Sequence, residues 1–289
     1  MLVILLSTFR VATPMLFASL GGFFSERSGV INIALEGFML VGAFTAAVVA
    51  YVTGSPWLGF CAAGVAGAVF AALYGIFVIF LRSNQIVAGT ALNLLVMGLI
   101  PLLLKILYGS TGSSPSLELH ARFNIFPLWF VWVAIISVWF WLRYTPSGLW
   151  LSFAGEHPEA LDAVGIKVNR VRFAAVTMSG VLAALGGASL SIFLSSGYSR
   201  NMVAGRGFMA LAALIFGKWR PLPTAMACLL FAFMEAMQIR LQSLSLAGGF
   251  SFPVQLIQAL PYLVTVLVLA GFVGHSRAPK AIGTVFETK

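Results

Sequence analysis

The chain has 289 residues, 60% hydrophobic and 9% charged, with a formal net charge of +9 and a mean hydropathy of +1.01. Soluble domains are nearer to about 45–50% apolar and about 25% charged, so no soluble fold of this length has the interior to hide such a chain. The basic excess lies in short connections between apolar runs of roughly 20 residues, where it orients a membrane protein and does not mark a nucleic-acid surface.

The fold class that follows is all-α: a polytopic integral membrane helix bundle of about 8–9 membrane segments, one of them broken or half-length. One transmembrane domain is expected over 1–274 and a cytoplasmic C-terminal tail over 275–289. The first apolar segment, 2–24, has no basic start or cleavage site before it, so no removable signal is expected. Arg10 and Pro14 interrupt this segment, and its crossing is expected from about Val11. The second, 29–52, follows the pair Glu26 and Arg27, which reads as a cap or anchor of the turn.

Asn32 and Glu36 lie four apart in that segment and share a face wherever it is helical. A carboxylate a third of the way into a span is costly. Three roles stay open for Glu36: bracing the break between the first two segments by accepting backbone N–H bonds, lining a translocation route, or resting solvated near an interface.

In the third segment, 56–81, the small residues Gly59, Ala63, Gly67 and Ala71 recur every four positions, which permits close helix contact. The fourth and fifth segments are 85–107, with Asn93, and 126–142. The sixth is 173–196. The seventh, 207–217, is too short to cross alone, and a half-length helix at membrane depth packs against protein and not lipid. Gly205 and Gly207 flank Arg206 just before it and read as a flexible re-entrant turn. The eighth, 223–239, carries Glu235 and Gln238 three apart, with Gln242 a turn on; the ninth, 253–273, repeats the spacing with Gln255 and Gln258.

With the loop 143–172 and the tail placed in the cytoplasm, inner connections hold Arg27, Arg82, Arg143, Lys167, Arg170, Arg172, Lys218, Arg220, Arg277, Lys280 and Lys289. The outer side holds Lys105, Arg122, Arg200, Arg206 and Arg240, a clear positive-inside bias. Nine crossings then put the N-terminus outside, unless the seventh segment merely dips in and returns. Trp57, Trp129, Trp150 and Trp219 at the segment ends read as an interfacial belt. Cys61 and Cys228 stand alone in apolar runs, and His120 and His275 have no metal partner at helical spacing.

The most polar stretch is "GEHPEALDAVGIKVNRVR", 155–172. Pro158 suits a first helical position, Glu159 and Asp162 favour the positive end of a short helix, and Gly165 suits the position after its end. Leu161 and Val164 share a face. A helix of two turns is unstable alone in water, so it either rests on the bundle or seats in a groove of a cytoplasmic partner.

Three blocks carry a resemblance: "SERSGVINIALEGFMLVGAF" at 25–44, the loop just quoted, and "MVAGRGFMALAALIFGKWRP" at 202–221. "QIRLQ", "LPYLVTVLVLAG" and "SRAPKAIG" extend it over nearly the whole chain. Together they resemble the membrane permease subunit of ABC importers of the ribose/branched-chain amino acid permease superfamily, in its nucleoside and simple-sugar branch.

That resemblance implies a non-enzymatic permease subunit in a bacterial inner membrane, moving nucleosides or simple sugars by alternating access. It implies no cofactor on this chain, with ATP and Mg on a separate cytoplasmic ATPase; "FGKW" indeed lacks the spacing and hydroxyl of a phosphate loop. Further implied partners are a second permease, identical or different, and a periplasmic or lipoprotein substrate-binding protein. Gly155, Glu156, Pro158, Glu159, Ala160, Leu161, Asp162, Val164 and Gly165 are implied as the ATPase-coupling loop, so Leu161→Asp or Val164→Asp is expected to uncouple transport. His157 stands where the family usually has Asn, Glu159-Ala160-Leu161 where it often has x-Ala-Ala, and the outer loop 108–125 is short for this branch.

Candidate translocation residues are Asn32, Glu36, Asn93, Glu235 and Gln238. For Asn93, a bond across helices and a bond to a sugar hydroxyl are both open. An ATP-independent secondary transporter is the alternative reading and would need ion-coupling carboxylates, of which Glu36 and Glu235 are the available ones. An intramembrane enzyme finds no support, since no H-E-x-x-H, paired acidic motif or Ser/His arrangement occurs.

Overall fold

A computed structural model describes residues 2–247 and 278–286 of the chain. The expected ninth segment, with Gln255 and Gln258, lies outside the described residues, as does the side chain of Gln242. The helices in chain order are α1 (Leu2–Arg27), α2 (Leu35–Thr53), α3 (Pro56–Gly75, prolonged by a π-helical turn, Ile76–Phe80), α4 (Gln85–Tyr108) and α5 (Phe126–Tyr144). There follow α6 (Pro146–Glu156), α7 (Pro158–Ala163), α8 (Val168–Ser189, prolonged by a second π turn, Leu190–Leu194), α9 (Arg206–Phe216) and α10 (Pro221–Ala247). Seven of these are long and apolar enough to cross a membrane: α1 to α5, α8 and α10.

Two expected boundaries move. Helix α1 is helical from Leu2 straight through Pro14, and the Arg10 guanidinium sits 5.1 Å above the Phe193 ring, a cation–π contact that accommodates the charge. Helix α2 begins at Leu35 and not near 29, because Gly29 turns the chain with φ +96° and residues 29–34 run without helical bonding. Asn32 therefore precedes the helix and shares no helical face with Glu36.

Helix α8 is the axis of the bundle. Some 83% of its apolar window is buried, against 28% for α4 and 17% for the window containing α5. Helices in lipid gain little hydrophobic drive from one another, so they associate where small residues let backbones touch. A Cβ at Gly187 of α8 would overlap the Met39 carbonyl of α2, and Gly67 of α3 meets the Gly180 carbonyl of α8 in the same way. The stripe Gly59, Ala63, Gly67 and Ala71 thus faces α2 and α8: a Cβ at Gly59 would stand 2.7 Å from the Ala46 carbonyl oxygen.

The short α9 completes a broken crossing and does not return. The irregular residues before it bond to the loop after α4, with Ser114 N donating to Tyr198 O at 3.0 Å and Arg200 N to Gly112 O at 2.7 Å. The turn after α9 lies at the opposite end, the end bearing α6 and α7, where Trp219 Nε1 donates to Glu26 Oε2 at 2.7 Å. Residues 278–286 fold back onto that same loop end: Ala281 N donates to Gly155 O at 2.8 Å and Gly283 N to Gly29 O at 2.9 Å.

Replacing Gly187 by Ala is expected to lower stability by about 1–3 kcal/mol, because backbone and not a flexible side chain blocks the methyl. Gly98→Ala in α4 meets nothing within 4 Å and is expected to be neutral or stabilising. Thermal unfolding of both variants in mild detergent reads the difference; equal midpoints would contradict the α2–α8 contact.

Candidate functional site

Two polar groupings interrupt the apolar bundle. The first surrounds residues 29–34, a largely buried stretch of backbone without helical partners. Each buried backbone group left unpaired there would cost several kcal/mol. Side chains from several elements supply the partners. Gln85 Oε1 accepts from Ile31 N at 2.8 Å and Tyr74 Oη donates to Ile31 O at 2.6 Å. Ser25 Oγ donates to Val30 O at 2.8 Å, and Glu26 accepts the Asn32 N–H.

Asn32 and Asn93 finish the task. The fully buried Asn32 accepts from Ala34 N through Oδ1 (3.1 Å) and donates through Nδ2 to Ser179 Oγ of α8 (2.8 Å). Asn93, on α4, donates to Ile33 O (2.9 Å) and accepts from Gly37 N (2.8 Å), one of the amide groups that the first turn of α2 leaves free. Both ends of its amide are thus committed across helices.

Glu36 does accept backbone N–H bonds, but from a different break than the one between the first two helices. Its Oε1 takes Gly205 N and its Oε2 takes Gly207 N, both at 2.8 Å, so a carboxylate from α2 caps the start of α9. This placement suits the partial positive charge of a helix N-terminus. Gly205 holds φ +82°, and a Cβ at Gly207 would come 2.6 Å from Glu36 N, so glycine is required at both positions. Between them Arg206 turns away, donates to Met202 O (2.9 Å) and pairs with Glu235 of α10. Arg206 therefore lies within the bundle and not in an outer loop. Glu235 Oε2 is buried without a hydrogen-bond partner among the described residues, and Gln238 sits one turn on, half-buried.

The second grouping is the loop end. Helix α6, which the sequence reading missed, opens with Thr145 Oγ1 accepting from Gly148 N (3.2 Å) and exposes Leu149, Trp150 and Phe153 along one side. Helix α7 starts at Pro158 and closes before Gly165, which takes φ +83° as its left-handed stop. Leu161 is only 3% exposed and packs with Ala154, Val168 and Phe286, whereas Val164 is 75% exposed. The expectation that both share a docking face is corrected: Leu161 anchors α7, and the free face is Ala160, Ala163 and Val164, flanked by Glu159 and the exposed His157. Asp162 is half-buried.

Below α7 the anchoring is dense. Gly155 lies so close to the Arg27 carbonyl that any Cβ would overlap it, and Arg27 Nη1 pairs with Glu156 Oε1 at 3.2 Å. Arg172, 2% exposed and so no surface charge, donates to Ala154 O (3.1 Å) and to Thr284 O of the tail (2.7 Å). Trp219 is also buried, not interfacial. With Lys218 it occupies a left-handed turn (φ 53° and 52°), a conformation costly without glycine, held by the bond to Glu26 and by Trp219 N to Leu214 O at 3.1 Å. Only the "GKWR" turn between two apolar helices hinted at this staple.

Glu36→Ala removes two charge-assisted bonds and is expected to cost about 2–4 kcal/mol, with Asn93→Ala costing about 1–3 kcal/mol for two orphaned backbone groups. Unfolding midpoints in detergent test both. An unchanged Glu36→Ala midpoint would remove the capping role.

The comparisons agree with the architecture. The chain is 35% identical to the guanosine ABC transporter permease protein NupQ of Bacillus subtilis, over 98% of this chain and 96% of that protein. It is 36% identical to the nucleoside ABC transporter permease protein NupC of Lactococcus lactis, over 94% and 92%. A solved structure of a metal-chelate type ABC transporter in an inward-facing conformation shares the fold, with TM-score 0.53 and 18% identity over 92% of this chain and 85% of that one. A multi-pass bundle, a capped half-length helix and an anchored surface helix are thus joined to a family match over residues 4–269, and the chain belongs to the permease-component family of the branched-chain amino acid transport systems.

Proposed function

We propose that this permease moves nucleosides inward across a bacterial plasma membrane, with the loop end in the cytoplasm and α7 as the surface that a separate ATPase grips. The observation that carries the reading is the construction of α7. A six-residue helix has no stability of its own, yet here Leu161 is buried beneath it while Ala160, Ala163 and Val164 stand free. Small apolar residues on a rigidly held helix suit insertion into a groove on a partner. Simple sugars are the second substrate class, and the nucleoside choice is supported by the names of the two bacterial relatives.

A second permease copy or a different permease chain completes the pathway, and a binding protein delivers the solute on the far side. ATP and Mg belong to the ATPase. Proton- or sodium-driven transport by the chain alone is the rival. Against it, Glu36 is held by two backbone N–H groups and Glu235 by Arg206, so neither carboxylate is poised to exchange an ion freely.

The test is co-purification with the products of neighbouring genes, followed by ATP hydrolysis and nucleoside uptake in vesicles. Val164→Asp is expected to weaken ATPase association and stimulated hydrolysis by on the order of tenfold or more while the permease stays folded. Leu161→Asp is expected to lower the amount of folded protein instead. Normal uptake with Val164→Asp would overturn the docking role, and ion-driven uptake by the lone chain would overturn the importer.

A further inference from the structure

We propose that a groove at the loop end, between α5, α6 and α8, is a binding site for one anionic phospholipid of the membrane leaflet on that side. The groove holds about 580 Å³, within the range of small-molecule sites. Its body is apolar, with Trp141, Trp150 and Met178 among its walls, and its mouth carries Lys167 and Arg170. Both cations are exposed, and neither has an ion-pair partner among the described residues.

The depth of the groove decides the occupant. From Lys167 to Met178 is eleven residues of α8, about 16 Å at ~1.5 Å each. That is the thickness of one leaflet of a hydrocarbon core of about 30 Å. A soluble partner docking on α7 would not reach down this wall, whereas an acyl chain fits its length and character.

The exposure pattern of α8 points the same way. This helix is the most buried of the spans, yet Arg170, Ala174 and Met178, at i, i+4 and i+8, form one open seam, and that seam lines the groove. Beside it, α6 presents the exposed apolar side chains Leu149, Trp150 and Phe153. A phosphate at the mouth would meet the two exposed cations Lys167 and Arg170, and basic clusters of this kind at the ends of spans favour anionic headgroups. The assignment rests on the membrane fold alone and stands whichever solute is carried.

The full chain, reconstituted in phosphatidylcholine nanodiscs, is mixed with increasing fractions of phosphatidylglycerol or phosphatidylcholine bearing brominated acyl chains. Bromine quenches tryptophan at short range. The chain has 7 tryptophans, so the signal from Trp141 and Trp150 is isolated by subtracting a Trp141→Phe/Trp150→Phe variant. Brominated phosphatidylglycerol is expected to quench this component at a fraction on the order of tenfold lower than brominated phosphatidylcholine. The preference is expected to vanish in Lys167→Gln/Arg170→Gln, whose side chains are exposed, with the unfolding midpoint retained. Equal quenching by the two lipids, a preference that survives in the double variant, or no quenching by either lipid would overturn the site.

Discussion

The structure turns on six residues of backbone, 29–34, that are not helical and are largely buried. Here the chain passes from the loop end of α1 into α2 with four of the six residues buried, so most of the amide and carbonyl groups there need protein partners. The partners come instead from Ser25, Glu26, Tyr74, Gln85 and Asn93, which belong to or border α1, α3 and α4, while Asn32 reaches on to α8. These polar residues sit in otherwise apolar spans because a break there needs them. Removing any one leaves a buried donor or acceptor, so the break fixes the mutual placement of four helices.

The same logic extends to the second break. Helix α9 begins at membrane depth, its first amide groups lack helical acceptors, and the nearest carboxylate is Glu36 in the first turn of α2. One helix start thus caps another, and Arg206, which has to leave the capped turn, finds Glu235. At the loop end Arg27, one residue from Glu26, joins the break to Glu156, and the tail closes over Gly29 and Gly155. Helix α7 is therefore tied to the base of α1, to the break and to the N-terminal end of α8 together. Such an undivided base would move as one body under the coupling proposed above, because packed cores switch between arrangements and do not deform gradually.

Much of this was legible in residues. Among the described residues the apolar runs marked most spans, though the start expected at 29 moved to Leu35, and the small-residue period of α3 marked a close contact before its partner was known. Gly165 and Pro158 marked the ends of α7 correctly because both signals are local, set by φ preference and a missing N–H. What failed depended on distant partners. The spacing of Asn32 and Glu36 implied a shared helical face, but Gly29 and the bonds to Gln85 and Asn93, more than fifty residues away, hold the chain off the helix. Leu161 and Val164 are symmetric by spacing and opposite by burial, since only the fold says which side of α7 meets the bundle. Trp219 read as interfacial because a tryptophan beside basic residues usually is, and only Glu26, 193 positions earlier, draws it inward.

The distribution of polar groups bears on how a solute could pass. Glu36 and both asparagines are committed to their own bundle, and Glu235 is paired with Arg206, so the described chain keeps few fixed polar groups free for a polar cargo. Conduction needs binding weak enough to let the solute leave. A wall with few unpaired donors and acceptors would meet that need at the expense of fine discrimination. In the described bundle the buried polar residues serve first to hold the broken helices together: Asn32 and Asn93 at residues 29–34, and Glu36 at the start of α9.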